Sequence, residues 1–454
     1  MLTVFAFLVA LAVLIAIHEY GHYRVAVACG VKVLRFSIGI GKPLWRWRRP
    51  GSETEFVIAA LPLGGYVRML DEREGAVPEQ ELARAFNRQP LRKRAAIVAA
   101  GPAANLLLAV ALYSLVNWIG VEQPQAIMAA PAQGSLAQQA GLTGGAQIHH
   151  VQLQGQEPVA VASFEDLRWQ LTQAALKAQD ATVHWSLANT SYVQSTLLPL
   201  SQIGQAGSLD ASSLERIGLT APWTDPVIAQ VMPDSAAQRA GLQAGDRVRT
   251  LDGQAVSDGT QLRQLIRVWP QGAAAVRQVW GIERDGQSLS LAVAPELLQT
   301  PQGQFGRIGA YVGAAPAMVL VRQGPWQGLE QAVRKTWQVS VLSVQMMGKM
   351  LIGQASLQNL SGPLTIADYA GKSASMGVVQ YLLFLALISV SLGVLNLLPV
   401  PILDGGHLMY YLWEGLTGRP VSERWMERLQ RLGMCLLLLM MSIAFFNDIR
   451  RLWA

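Results

Sequence analysis

The fold class the sequence predicts is a multi-pass α-helical membrane protein with four transmembrane helices, a large water-exposed insert and a β-patterned loop against the membrane. Three observations predict it. Hydrophobic residues make up 51% of the 454 positions and charged residues only 15%, where soluble domains carry roughly 25% charged residues. The apolar residues gather into four long runs. Basic residues crowd beside those runs instead of spreading over the chain. High hydrophobicity excludes intrinsic disorder, and 42 aperiodic glycines exclude a collagen-like chain. The formal net charge of +6 is mild, and no face interleaves basic with aromatic residues, which argues against a nucleic-acid partner and for the lipid bilayer. The two cysteines, Cys29 and Cys435, both lie in or beside apolar runs and build no disulfide framework.

The first run, 2–17, is uncharged and continues as a helix through His18–Ala28. It is like a signal peptide in position, but it lacks a positive leading region and a small-residue cleavage site. Residues 95–119 and 376–398 each supply a full span of about 20 residues. Residues 432–447 are fewer but continue from an Arg-flanked helix. Thirteen Lys and Arg lie between 30 and 94, and Arg419, Arg424, Arg428 and Arg431 follow the third span. The positive-inside rule therefore puts both short connections in the cytoplasm, and both termini and the region 120–375 outside. Arg450 and Arg451 oppose this weakly.

The outside region contains a duplication. Ser135–Gly145 (SLAQQAGLTGG) recurs 100 residues later as Ser235–Gly245 (SAAQRAGLQAG). Each copy reads as a short helix closed by glycine and followed by a β-rich stretch. The A-G-L-x-x-G-D pattern of the second copy resembles bacterial PDZ domains, and the resemblance implies two α+β PDZ domains in tandem. Such domains bind an extended peptide, often a C-terminal one, by adding it as a strand. The first copy has Ala146 where the second has Asp246, which weakens the expectation for its peptide site. Beyond the duplication, Trp326–Gly353 has an uncharged window too short to span, bracketed by Lys335 and Lys349. It reads as an amphipathic helix lying in the outer interface.

The chemistry gathers at the end of the first span. His18-Glu19-Tyr20-Gly21-His22 is an H-E-x-x-H motif. Residues i and i+4 share one helical face, so both imidazoles can reach one Zn²⁺ with Glu19 beside it as general base. Ionisable groups at membrane depth are expensive and usually functional. Two histidines leave a catalytic zinc one protein ligand short. The third span ends in Asn396-Leu-Leu-Pro399-Val-Pro401-Ile-Leu-Asp404-Gly405-Gly406-His407. Its prolines unwind the helix and turn Asp404 inward, and Asp404 is the preferred third ligand. His407, three residues on, is the competing one.

HEYGH on the first helix, GPAAN (Gly101–Asn105) in the second, and N-x-x-P-x-x-x-x-D-G at the end of the third together resemble the site-2 protease family of intramembrane metalloproteases. The inserted tandem narrows the resemblance to a bacterial branch of it, over essentially the full length. The resemblance implies one zinc per chain, held by His18, His22 and Asp404, with Glu19 activating water and Asn396 positioning substrate or stabilising the oxyanion. Gly101, Pro102 and Asn105 would shape the helix beside the site. Val33–Gly39 and Glu55–Met69 are β-patterned and would form a membrane-reentrant loop that pairs with substrate, with Gly64, Gly65, Tyr66 and Val67 as the candidate contacts. Arg88–Arg94 reads as an interfacial anchor.

The implied layout is 1–29 first span, 30–94 cytoplasmic loop, 95–119 second span, 120–222 and 223–315 PDZ domains, 322–375 external amphipathic helix and linker, 376–403 third span, 404–431 cytoplasmic loop or helix, and 432–449 fourth span. The implied activity is cleavage of single-span substrates in a bacterial inner membrane after an earlier cut outside, with an anti-sigma factor and remnant signal peptides among them. Two other classes fit parts of the sequence: a PDZ-bearing scaffold with a vestigial metal site, and a zinc transporter.

Overall fold

The structure is a computed structural model that describes residues 1–187, 190, 192–204, 211–268, 277–300, 303–351 and 362–453. The 352–361 part of the expected linker lies outside them. The chain divides into two compact units, Met1–Val121 with Arg322–Ala454, and Glu122–Val321.

Among the described residues of the first unit, four helices are long and apolar enough to cross a membrane: Leu2–Ala28, Leu91–Ile119, Val378–Leu397 and Arg424–Arg450. With no hydrophobic drive between helices in lipid, close packing of small residues must hold them together. Gly21 and Gly101 serve that purpose where the first two spans cross. A Cβ on Gly21 would meet the Ala100 carbonyl and lie 2.8 Å from Ala104 Cβ. The third span closes on the second at Gly393, where a Cβ would stand 3.1 Å from the Pro102 carbonyl oxygen. Ser389 Oγ donates to the Asn105 carbonyl at 2.7 Å across the same seam. From the fourth span, Asp448, only 1% exposed, accepts from the backbone of Gly362, Leu364 and Thr365, the first turn of helix Pro363–Ser375. A carboxylate there satisfies orphan N–H groups and complements the helix dipole.

Two segments make contacts that the sequence alone does not show. Helix Pro325–Leu351 packs within the first unit. It runs along the second span, from an Asn117–Gly328 hydrogen bond to Met347, and buries Ala332 against Ala109, Tyr113, Ala386 and Val390. Its short uncharged window is no obstacle, because small residues face the bundle while Lys335 points away. The Arg88–Arg94 group has specific partners within the first unit. Arg88 pairs with Glu72 at 2.6 Å, Lys93 donates to the Cys29 carbonyl, and Arg94 pairs with Glu414 at 2.6 Å beneath the Tyr411 ring.

Between the first two spans, strands Val33–Arg48 and Glu55–Met69 are both long and bent. Each strand folds back, so that Phe36 pairs with both Phe56 and Val67, and Trp47 pairs with Phe56. Four runs result, in the order 43–48, 55–59, 33–40 and 65–69; the central two pair in parallel, Arg35 with Glu55 through Ile38 with Ile58, and the outer pairings are antiparallel. The run 65–69 is an edge. Ile40, Leu44, Trp45, Trp47 and Leu61 are exposed around the tip, an apolar surface of the kind that enters lipid.

The second unit holds two lobes of one plan. Each begins with a short helix capped by serine, Ser135 and Ser235, whose hydroxyls accept from Gln138 and Gln238 N–H. Each carries a four-stranded antiparallel sheet with the same internal order and one amphipathic helix, Phe164–Leu176 or Gly259–Arg267. Each has its own core, around Leu167, Leu171 and Trp185 in one and Leu262, Trp280 and Ile282 in the other.

Candidate metal centre

His18 and His22 sit one turn apart on the inner face of the first span, with Nε2 atoms 3.3 Å from each other. The third span stops at Leu397, the chain turns through Pro399–Leu403, and helix Asp404–Thr417 begins. That break delivers Asp404 Oδ2 to 3.2 Å from His18 Nε2 and 3.5 Å from His22 Nε2. Gly405 and Gly406 make the turn possible, since a Cβ on either would collide with backbone carbonyls of Leu397, Leu398 or Val400. The Arg94–Glu414 pair holds the same short helix to the second span.

The three atoms fit a metal. Tetrahedral zinc with ligand bonds of about 2.0–2.1 Å sets its ligand atoms about 3.3–3.4 Å apart, and the observed separations are 3.2, 3.3 and 3.5 Å. Asp404 Oδ2 is buried without a geometrically sound hydrogen bond, although it lies this close to two ring nitrogens. Three acceptors converging on one point is what a shared cation resolves. His18, His22 and Asp404 are the group of this kind among the described residues. His407 is not in it. Its ring packs edge-on against Tyr410 at 5.9 Å.

Both imidazoles are held from behind. His22 Nδ1 donates to the Ile97 carbonyl at 2.8 Å, in the turn preceding Pro102. His18 Nδ1 lies 3.2 Å from the amide of Asn105, which is fully buried and whose Oδ1 has no other partner. Amide oxygen and nitrogen are assigned from the network. With Oδ1 turned onto Nδ1–H, the orphan oxygen is satisfied and His18 Nε2 keeps its lone pair for a metal. The sequence treats Asn105 as a helix-shaping residue. Its spacing to Gly101, one helical turn, is the signal that puts both on the face toward the histidines.

Glycine is required where backbone meets the centre. A Cβ on Gly101 would collide with His22 Nε2 and stand 2.9 Å from His18 Cε1. A Cβ on Gly65 would stand 2.7 Å from Glu19 Cγ and 2.8 Å from Ile15 Cγ2 and the Ser37 carbonyl. The edge run of the sheet therefore passes directly over Glu19. Gly64, Gly65 and Val67 are half-buried and Tyr66 is exposed, with its hydroxyl accepting from Arg35 at 3.4 Å. Pro102 lies buried inside the second span. Asn396 lies half-buried in the last turn of the third span, and no hydrogen bond joins it to the histidines or Asp404.

The profile of peptidase family M50 matches residues 6–440. A Ralstonia nicotianae protein that carries a zinc-metalloprotease name is 45% identical over 100% of this chain and 99% of its own. The regulator of sigma-E protease of Escherichia coli is 41% identical over 98% of both chains, and the RseP protease of Yersinia pestis is 40% identical over 98% of both. Four membrane-length helices among the described residues, a candidate metal centre on H-E-x-x-H, and full-length similarity agree: the chain belongs to peptidase family M50, the site-2 proteases, a family of zinc metalloproteases, and is similar over its length to regulator of sigma-E proteases.

Proposed function

We propose that this chain is an intramembrane endopeptidase that cuts the transmembrane segment of a single-span protein already trimmed outside. The observation that carries the reading is the convergence, at tetrahedral spacing, of Asp404 with His18 and His22, the two histidines lying on a helix apolar enough to cross a bilayer. One zinc ion per chain would be held by these residues, and it would supply the Lewis acidity that makes water nucleophilic near neutral pH. Glu19, beside the ligands, takes the proton from the attacking water and returns it to the leaving amide nitrogen. Asn105 and the Ile97 carbonyl fix the ring tautomers.

A substrate helix shields its own peptide bonds and must be extended before attack. The edge run 65–69 offers unpaired backbone groups beside Glu19, so a substrate strand added there would present its carbonyl to the centre. Gly64, Gly65, Tyr66 and Val67 are the contacts in that arrangement, and Asn396, at the mouth of the third span, is the polar group placed to hold the unwound chain. The exposed apolar tip of the sheet supports immersion of the loop in lipid.

The two lobes of one plan support a tandem of PDZ domains at 120–222 and 223–315, external by the charge rule, either binding C-terminal peptide or excluding untrimmed substrates by size. Both termini would be periplasmic and the centre near the cytoplasmic side of a bacterial inner membrane. An anti-sigma factor and remnant signal peptides are the substrates this reading favours. The test is cleavage of a tagged single-span substrate in cells, with and without its outer domain. Glu19→Gln should bind zinc as wild type does and lose cleavage. Retained cleavage would overturn the mechanism.

A further inference from the structure

The chain has six histidines. Three of them, His149, His150 and His184, lie far from the metal centre in sequence, together on one wall of the first external lobe. They line a concavity of ≈ 410 Å³ with Pro158 and Val193. Two features of the fold put them on one face. His150 and His184 are direct cross-strand partners, so their Cβ atoms are close neighbours. A β-bulge between Ile148 and His150 leaves His149 as an extra residue and turns it to the side that its alternation would otherwise deny it.

The second lobe is a control within the same chain. It has the same bulge, between Val248 and Thr250, and the matching positions hold Arg249, Thr250 and Gly281. The scaffold therefore forms without imidazole at any of the three places. Nor do the rings fill a core: His150 is exposed and the other two are half-buried.

We propose that His150 and His184, with His149 beside them, form a second transition-metal site for a divalent ion such as Cu²⁺ or Zn²⁺, distinct from the centre in the membrane unit. The ring centroids of His150 and His184 are 6.4 Å apart at an interplanar angle of 82°. Two imidazoles sharing an ion at about 2.0–2.1 Å have centroids on the order of 5–6 Å apart, which a turn of the exposed His150 ring supplies. His184 is already oriented: Ser195 Oγ lies 2.9 Å from its Nδ1, and Gln152 Oε1 lies 3.4 Å from its Nε2 as a further oxygen donor. Ser186 Oγ lies 2.9 Å from His149 Nε2, which leaves Nδ1 of that ring for the ion. Imidazole and amide oxygen form a donor set suited to copper, nickel or zinc.

The test uses the tag-free full-length protein in detergent, equilibrated with micromolar Zn²⁺ or Cu²⁺, with bound metal counted by mass spectrometry. His150→Ala with His184→Ala should bind one equivalent fewer than wild type. With the membrane centre first loaded with Zn²⁺, added Cu²⁺ should show nitrogen hyperfine coupling from at least two imidazoles at low temperature, absent in the double variant. Cleavage of a single-span substrate should not change, which separates this site from the catalytic one. Equal stoichiometry in wild type and double variant, or a copper spectrum without that nitrogen coupling, would overturn the proposal.

Discussion

Asn105 supplies the sharpest test of how the metal centre is built. Its side chain is fully buried, it faces His18 Nδ1 at 3.2 Å, and its oxygen has no other partner. Asn105→Ala strips that partner and leaves a buried ring N–H unsatisfied, a cost of about 1–3 kcal/mol. Since about 1.4 kcal/mol is tenfold in an equilibrium constant, zinc affinity should fall by about 5–150-fold, overlapping the 10–100-fold usual for removing a partner behind a metal-binding imidazole. Ser389 bonds the Asn105 backbone carbonyl, so that link between the second and third spans survives the substitution. The assay is zinc competition against a fluorescent chelator on the purified full-length chain, followed by substrate cleavage as a function of free zinc. Activity should recover at high zinc. Asn105→Asp, which still accepts from Nδ1–H, should retain affinity within a few-fold of wild type. Wild-type zinc affinity in Asn105→Ala would refute the positioning role, whatever happened to activity.

Two further outcomes follow from single contacts. Gly65→Ala drives a methyl into Glu19 Cγ and the Ser37 carbonyl, so zinc content should stay at the wild-type level while kcat for a single-span substrate falls at least tenfold; unchanged kcat would separate the edge run from the catalytic glutamate. Asp246, unexposed, is paired with Arg284 at 2.6 Å, whereas the first lobe sets Ala146 opposite Leu187 at the matching positions. Burial pushes the Asp246 carboxyl up, but the Arg284 guanidinium and the Gln243 N–H outweigh it and leave the carboxyl below its ordinary value. A depressed folded value means that the pair stabilises fully above the unfolded carboxyl value of about 3.9, and that this stabilisation is lost as pH falls through the folded value. Asp246→Ala should cost about 1–3 kcal/mol by removing the acceptor of Arg284 and of the Gln243 N–H, and adding Arg284→Leu, which copies the first lobe, should recover most of it. Pulse proteolysis of the full chain in urea reads both, and a double variant no better than the single would sink the argument.

What the sequence made legible, and what it hid, divides along range of interaction. The four spans were readable because length and apolarity alone decide whether a helix can cross a bilayer. His18 and His22 were readable because i and i+4 are neighbours by helix geometry before any tertiary contact exists. Asp404 is preferred over His407 in the sequence, and the turn at Pro399–Leu403 supports that preference: it swings Asp404 Oδ2 to 3.2 Å from His18 Nε2 and leaves His407 against Tyr410. The packing of Pro325–Leu351 on the second span is hidden for a related reason. Charge at Lys335 and Lys349 marks a helix as unable to span alone, but it does not forbid a packed one, because Ala332 and Thr336 are buried while Lys335 is exposed. The role of Arg94 was hidden in the same way, since its partner Glu414 lies 320 residues away. Glycine carried more information than its composition suggested. Gly101 and Gly65 each mark a place where backbone touches a side chain of the candidate centre, and the residues they touch, His22 and Glu19, lie in a different element. The centre is therefore assembled by close approach among three spans and one sheet edge. The H-E-x-x-H motif supplies only the part of that assembly that one helix can hold.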